Sequence, residues 1–227
     1  MKQEKSNIDS FETKLGEVNI VLTSFPNPRI SKSDNLTLIE TSGHLIEIIA
    51  FDDIKKWTQD TNPIEKSIGW VVRVIKTNDL KEEVSIQCSL IPTDEKTTSD
   101  IDTGESLDSL WIENETDVVS IGTEDGEMMK YRAEKGDWMP MRFKQKLGYQ
   151  SNSEFSFTSY LDFGLETNVP NLDNGEKIYF HYLVATNRRK KSEYNPNEDD
   201  ISTNLAVDFP KWTLVERLKI KEEITKC

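Results

Sequence analysis

Short runs in which apolar and polar residues alternate cover most of this 227-residue chain. An alternation with a period of two places the apolar side chains on one face of a β-strand, and Gly, Pro, Asn and Asp between the runs favour turns. The pattern predicts strands at residues 17–25, 36–40, 44–51, 68–76, 82–91, 117–122, 127–133, 140–145, 154–163, 177–186 and 202–209.

Two dipeptides and one short segment indicate how the strands are connected. Asp125-Gly126 separates two of the runs and Asn174-Gly175 precedes the longest of them, and both suit tight turns that need a positive φ. A helical turn is predicted at residues 51–57, where large apolar residues recur at helical intervals.

The regular spacing of many short strands is typical of a β-sandwich or a jelly roll. No internal repeat and no linker rich in Pro, Gly or Ser divides the chain, while the tail at residues 211–224 fits either a strand or a helix. We therefore predict one all-β domain over residues 1–227, β-sandwich or jelly-roll-like, with roughly ten strands and at most one or two short helices. A protein of two β subdomains is the alternative.

The charge of the chain is unevenly distributed. The net charge is -13. Residues 92–127 hold twelve acids and one base, which gives -11 of that total. Within this acidic stretch, residues 92–109 are polar and lack periodicity, which predicts a flexible insertion loop. Its acids Asp100, Asp102, Glu105 and Asp108 are candidates for binding a basic protein partner.

A second charged segment consists of four consecutive cations, Arg188, Arg189, Lys190 and Lys191. They begin a connection of about fourteen residues, longer than the two to five residues of ordinary hairpins, and long loops on a rigid sheet often carry binding residues. The four cations are therefore candidate partner-binding residues. Alternatively, they pair with the acids Glu198, Asp199 and Asp200 of the same connection and have no binding role.

Few residues are suited to catalysis or to metal binding. His44 and His181 are the only histidines, no nucleophile elbow accompanies them, and the more probable role of each is structural. Asp100, Asp102 and Asp108 match three positions of a calcium loop, but two of its other ligands are missing. Cys88 alternates with apolar residues and is predicted to be buried. No nucleotide-binding loop is present, so the sequence indicates no cofactor.

We consider three functions. The first is a non-enzymatic interaction module, with an accessory, inhibitor or immunity-like role, that binds a protein partner through its charged loops. The second is a sandwich that binds carbohydrate or another small ligand by stacking it on Trp70, Trp111, Trp138 or Tyr149. The third is a hydrolase with an unidentified acid/base pair. The net charge disfavours nucleic acid. Without an apolar span or leader, the chain is expected in the cytoplasm and not in a membrane.

Overall fold

The chain folds into two antiparallel β-sheets that pack face to face. The computed structural model describes residues 5–24, 28–52, 64–104, 107–135, 139–146, 157–193, 195 and 197–208. Its thirteen strands are β1 (Ser6–Glu12), β2 (Gly16–Leu22), β3 (Arg29–Ser33), β4 (Leu36–Glu40), β5 (His44–Asp52), β6 (Lys66–Lys76), β7 (Val84–Pro92), β8 (Thr98–Gly104), β9 (Leu107–Glu113), β10 (Asp117–Glu124), β11 (Thr158–Leu161), β12 (Gly164–Val169) and β13 (Lys177–Arg188). The all-β sandwich predicted from the alternation is thus confirmed.

The larger sheet has eight strands in the order β3-β4-β5-β6-β13-β10-β9-β8, and the smaller sheet has five in the order β1-β2-β7-β12-β11. The inner face of the larger sheet packs against the smaller sheet through buried apolar residues such as Val72, Phe180, Ile86 and Leu165. Tyr182 reaches across this core and donates a 2.8 Å hydrogen bond to the carbonyl of Ile86. Cys88 is completely buried in the same core, as predicted.

The outer face of the larger sheet, which points away from the smaller sheet, is also largely buried. Strand β13 is buried at ten consecutive positions, so both of its faces are covered. Part of the cover comes from helix α2 (Ser202–Val207), whose Ala206 and Val207 pack on Leu183 and Leu107. Gly122 of β10 makes this contact possible, because a Cβ atom there would lie 2.9 Å from the side chain of Val207.

Three of the predicted strands are helical instead. Residues 127–133 belong to helix α1 (Gly126–Lys135), residues 140–145 to a 3₁₀ helix (Met141–Lys146), and residues 202–209 overlap α2. The Asp125-Gly126 pair begins α1 rather than closing a hairpin, because Oδ1 of Asp125 accepts a 2.8 Å hydrogen bond from the backbone N–H of Met128. No helix among the described residues is long and apolar enough to span a membrane.

The reason for the error at α2 is the spacing of its buried residues. Ser202 and Ala206 are buried, as are Thr203 and Val207, and each pair is four residues apart. That spacing is helical, but in a segment of only six residues it is hard to distinguish from strand alternation. The Asn174-Gly175 turn was predicted correctly, since Gly175 has a φ of +83°.

Five strands were missed: β1, β3, β8, β9 and β12. Strands β8 and β9 form an antiparallel hairpin within the acidic stretch, so the prediction of an irregular loop at residues 92–109 was wrong. Every residue of β8 from Thr98 to Asp102 is exposed, and a strand exposed on both faces has no apolar alternation to reveal it. The helical turn at 51–57 and the tail at 211–224 lie almost wholly outside the described residues.

Candidate functional site

The most exposed acidic element is β8, the last strand of the larger sheet. Among the described residues it pairs only with β9, so its other side is a sheet edge of the kind that can pair with another strand, although the N–H of Ile101 already donates a 2.9 Å hydrogen bond to Oδ1 of Asp100. Ile101, at its centre, is 52% exposed. We call the edge of the sheet that β8 forms from Thr98 to Asp102, on the side away from β9, the acidic edge.

Two of the predicted partner-binding acids lie on the acidic edge. Asp100 is opposite Trp111 of β9, and Asp102 is opposite Ser109, so both carboxylates point to the outer face of the larger sheet. Asp100 and Asp102 are exposed. Asp102 accepts a hydrogen bond from Nδ2 of Asn204, a contact with α2 that the sequence did not indicate. This end of the sheet therefore carries two accessible negative charges beside the backbone of an edge strand.

The other two predicted acids do not join this pair. Asp108 lies between the sheets, where its Oδ1 accepts a 2.7 Å hydrogen bond from the hydroxyl of Tyr160. Burial raises the pKa of Asp108, and the nearby charge of Asp125 raises it further, against hydrogen bonds from Tyr160 and Thr158 that lower it. Glu105 lies outside the described residues. The alternation of side chains along a hairpin separates acids that are close in sequence.

The four consecutive cations end β13 and begin the connection that follows it, and each forms an ion pair within the chain. Arg188 lies 3.7 Å from Glu65, and Lys190 lies 3.1 Å from Asp200. Arg189 contacts both Glu113 and Asp199 at 3.3 Å, and Lys191 contacts Asp199 at 2.8 Å. The hydrogen bond from Lys191 lowers the pKa of Asp199. Asp199 and Asp200 belong to the same connection, as in the alternative drawn from the sequence, whereas Glu65 and Glu113 lie elsewhere in the chain.

His44 lies in a buried polar cluster near the end of β6. Its Nδ1 is 3.5 Å from Oε2 of Glu82, whose Oε1 accepts a hydrogen bond from the hydroxyl of Ser42. Burial and the charge of Lys76 lower the pKa of His44 to about 4, although Glu82 acts in the opposite direction. In a catalytic triad the imidazole lies between the serine and the carboxylate. Here the carboxylate lies between them, so His44 is not placed to activate Ser42.

His181 is buried on the outer face of the larger sheet, with Nδ1 3.5 Å from Oε1 of Glu124. Both side chains are about 1% exposed, so neither presents a surface to a substrate in this conformation. Among the described residues, no group of three or more His, Cys, Asp or Glu side chains is arranged to hold a metal ion.

A second buried charged group on the outer face was missed in the sequence. Glu47 of β5 and Arg73 of β6 are opposite each other, and Nε of Arg73 donates a hydrogen bond to Oε2 of Glu47. Arg73 also donates a 3.3 Å hydrogen bond to the hydroxyl of Tyr179. In the sequence, the pair could have been found as a single charged residue near the centre of each of two otherwise apolar strands. The attraction within such a buried pair is largely offset by the cost of removing both charges from water.

The aromatic residues proposed to stack a ligand differ in their surroundings. Trp70 is completely buried and donates a 2.8 Å hydrogen bond to Oδ2 of Asp9, so it has no surface for a ligand. Trp111 is half-buried on the outer face beside Asp100, and its Nε1 donates a 2.8 Å hydrogen bond to Glu113. Trp138 and Tyr149 lie outside the described residues.

Comparison with known proteins identifies no family for this chain. No family model and no curated protein matches it. One similar solved structure is described as a kojibiose phosphorylase from human microbiome, with 11% sequence identity and a TM-score of 0.38. The similarity covers 95% of this chain but 29% of the other. At that TM-score the similarity carries no argument about function.

Proposed function

We propose that the protein is a non-enzymatic interaction module that binds a protein partner through the acidic edge. The observation that supports this best is the exposure of β8 from Thr98 to Asp102, at the end of a sheet whose central strands are covered on both faces. An extended segment of a partner can add to such an edge by backbone hydrogen bonding, and its side chains then supply specificity. Asp100 and Asp102 favour a segment that carries Lys or Arg.

The cations at 188–191 are a weaker candidate for the same role. Each already contacts a carboxylate of its own chain, so an acidic partner would have to replace those contacts. Among the described residues no cation pairs with Asp100 or Asp102, so their charge is available to a basic segment. We therefore assign partner binding to the acidic edge and a structural role to the cations.

A module of this kind suits an accessory, inhibitor or immunity-like role toward a basic protein. The acidic edge would speed the encounter with such a partner and hold one extended segment of it. We also propose that this takes place in the cytoplasm, a location with which the free thiol of Cys88 is compatible.

The test uses a fluorescent peptide in which Lys alternates with Val, and a matched peptide in which Glu replaces Lys. We expect the full chain to bind the Lys peptide and not the Glu peptide, with an association rate that falls as salt rises. Asp100→Asn with Asp102→Asn should weaken binding roughly tenfold, because two charge contacts of about 0.7 kcal/mol each are lost.

Asp79→Asn with Glu83→Gln is the matched control, since both residues are exposed on the loop after β6 and the same charge is removed. The control should leave binding within about twofold of the unmodified chain. If both double variants weaken binding equally, only the net charge matters and the acidic edge is not the site.

Carbohydrate binding is a second candidate, supported by Trp111 alone. Its half-buried ring lies beside Asp100 and Glu113, an arrangement in which a sugar can stack on the ring and donate hydrogen bonds to the carboxylates. A screen of oligosaccharides against the chain and against Trp111→Ala tests it. Binding that survives this substitution would place the sugar elsewhere.

A further inference from the structure

The opposite end of the larger sheet carries the opposite charge. Strand β3 is the edge there, and all of its residues from Arg29 to Ser33 are exposed. It contributes two cations, Arg29 and Lys32, and no acid. Charged residues on edge strands usually prevent pairing between copies of a protein, because like charges repel. Here the two edges of one sheet bear unlike charges.

The topology allows these edges to pair with each other. Every neighbouring pair of strands in the larger sheet is antiparallel, and the sheet contains an even number of strands, eight. Strands β3 and β8 at its two ends therefore run in opposite directions. A second copy that continues this alternation, and the twist of the sheet, places its β3 antiparallel to β8 of the first copy and extends the sheet.

The side chains of the two edges also match in such a pair. Ile30 is opposite Ile39 and Ile101 is opposite Leu110, and both partners are core residues, so both isoleucines lie on the inner face. They are 37% and 52% exposed, large values for isoleucine. Pairing them with each other across two copies would remove both from water at the centre of the contact.

The same register brings the charges together. With Ile30 opposite Ile101, Arg29 of one copy is opposite Asp102 of the other, and both side chains lie on the outer face. Among the described residues, Arg29 pairs with Glu40 at 3.4 Å, and the two side chains are 84% and 58% exposed. An exposed pair of that kind contributes at most about 1 kcal/mol, so Arg29 can exchange Glu40 for Asp102 at little cost.

We propose that a second copy of this chain occupies the acidic edge, by docking its β3 against β8. The proposal rests on the proposed function, since it assigns a partner to the same edge. A contact of five residues per strand falls below the roughly 1,200 Å² of a stable interface, so association is weak and depends on concentration. Because two different surfaces meet, the contact leaves a β3 and a β8 edge open and permits assemblies larger than a dimer.

The experiment measures the mass of the full chain by sedimentation over a range of protein and salt concentrations. We expect the average mass to rise with concentration and to fall toward the monomer as salt rises. Arg29→Asp and Asp102→Arg should each abolish association, since like charges then meet across the contact. An equimolar mixture of the two variants should restore it, because each contact in the mixed assembly again joins unlike charges.

Lys81→Asp and Asp79→Arg are matched controls, since they make the same changes of charge at exposed positions in the loop after β6, outside both edge strands. The controls should associate as the unmodified chain does. A far-ultraviolet spectrum confirms that each variant is folded, which is expected for substitutions at exposed positions.

The outcomes separate this inference from the proposed function. A chain that binds the Lys peptide but stays monomeric at the highest attainable concentration overturns the inference and leaves the function standing. A chain that neither binds the peptide nor associates overturns both. Association that ignores both edge substitutions, or a mixture that stays monomeric, shows that copies meet through another surface and also overturns the inference.

Discussion

The hydroxyl of Tyr160 donates a 2.7 Å hydrogen bond to Oδ1 of Asp108, and this bond joins the two sheets. Tyr160 lies on β11, the edge strand of the smaller sheet, and Asp108 lies on β9 of the larger sheet. The carboxylate is partly withdrawn from water, and burial is the main reason that its pKa is raised. The bond thus fixes the position of β9 relative to the smaller sheet through a group whose ionisation is unfavourable.

Asp108→Asn should make the chain more stable at neutral pH, by about 1 kcal/mol or less. The folded state of the parent keeps the Asp108 proton to a higher pH than the unfolded state does. Stability is therefore lost as pH rises from the ordinary carboxyl pKa through the raised one, and Asn removes this loss. Urea unfolding of the parent and of Asp108→Asn at pH 7 and at pH 3 measures the effect. The two free energies of unfolding should be equal at pH 3. Asp79→Asn is the control, and a less stable Asp108→Asn variant at pH 7 would contradict the prediction.

His44 should make the chain less stable in mild acid. Its pKa is about 4 in the folded protein and 6.5 ordinarily, so between these values the unfolded chain binds the proton more readily. The stability from neutral His44 is complete well above pH 6.5 and is lost as pH falls to 4, by about 3 kcal/mol. His44→Gln should show a shallower loss of stability over this interval in urea unfolding. Equal slopes for the two proteins would show that the imidazole does not titrate with this shift.

Replacing Arg188, Arg189, Lys190 and Lys191 together by Ser should have a small effect. The ion pairs they form are partly exposed, so we expect the free energy of unfolding to fall by about 1 to 2 kcal/mol. Binding of the Lys peptide should be at least as fast as in the parent, because four positive charges are removed from the same chain. Stopped-flow measurement of the association rate checks this. A clear decrease in that rate would show that the cations contribute to binding.

Gly122→Ala should displace α2 from the larger sheet, because the new Cβ would lie 2.9 Å from Val207. Overpacking of this kind costs roughly 1 to 3 kcal/mol in thermal or urea unfolding. Measured in a Val207→Gly background, which lacks the clashing side chain, Gly122→Ala should cost less stability than it does in the parent. Gly175→Ala is the control: its Cβ would meet nothing within 4 Å, so any loss there comes from the positive φ and Val207→Gly should not reduce it.

The sequence predicted the sandwich because burial against one core imposes a period of two on each strand. The prediction succeeded best where at least one face is buried, as in β4, which was placed at residues 36–40 and lies at Leu36–Glu40. It failed at β3, which is exposed along its length, and at β8, which is exposed from Thr98 to Asp102, because neither has such a period. The end of β3 is nevertheless marked in the sequence by Asp34-Asn35, because Asp and Asn favour tight turns. Asp34 has a φ of 46° there.

For the candidate site, too, some features could be predicted from the sequence and others depended on how the strands pair. The concentration of acids between residues 92 and 127, and Asp100 and Asp102 within it, could be read directly from the sequence. That Asp108 turns toward Tyr160 depended on the hairpin register, and that the cations at 188–191 meet Glu65 and Glu113 depended on which strands are neighbours.

The sequence by itself determined the period of the strands, the burial of Cys88 and the sign of the charge on each segment, because these are properties of residues close together in the chain. Only the tertiary structure decided which strands lie at the edges and which faces are covered. Strand order depends on pairings between distant segments, as between β6 and β13, where Val72 is opposite Phe180. Such pairings are selected by the packing of the whole core, and the pattern of residues within one strand does not show which distant strand will be its neighbour.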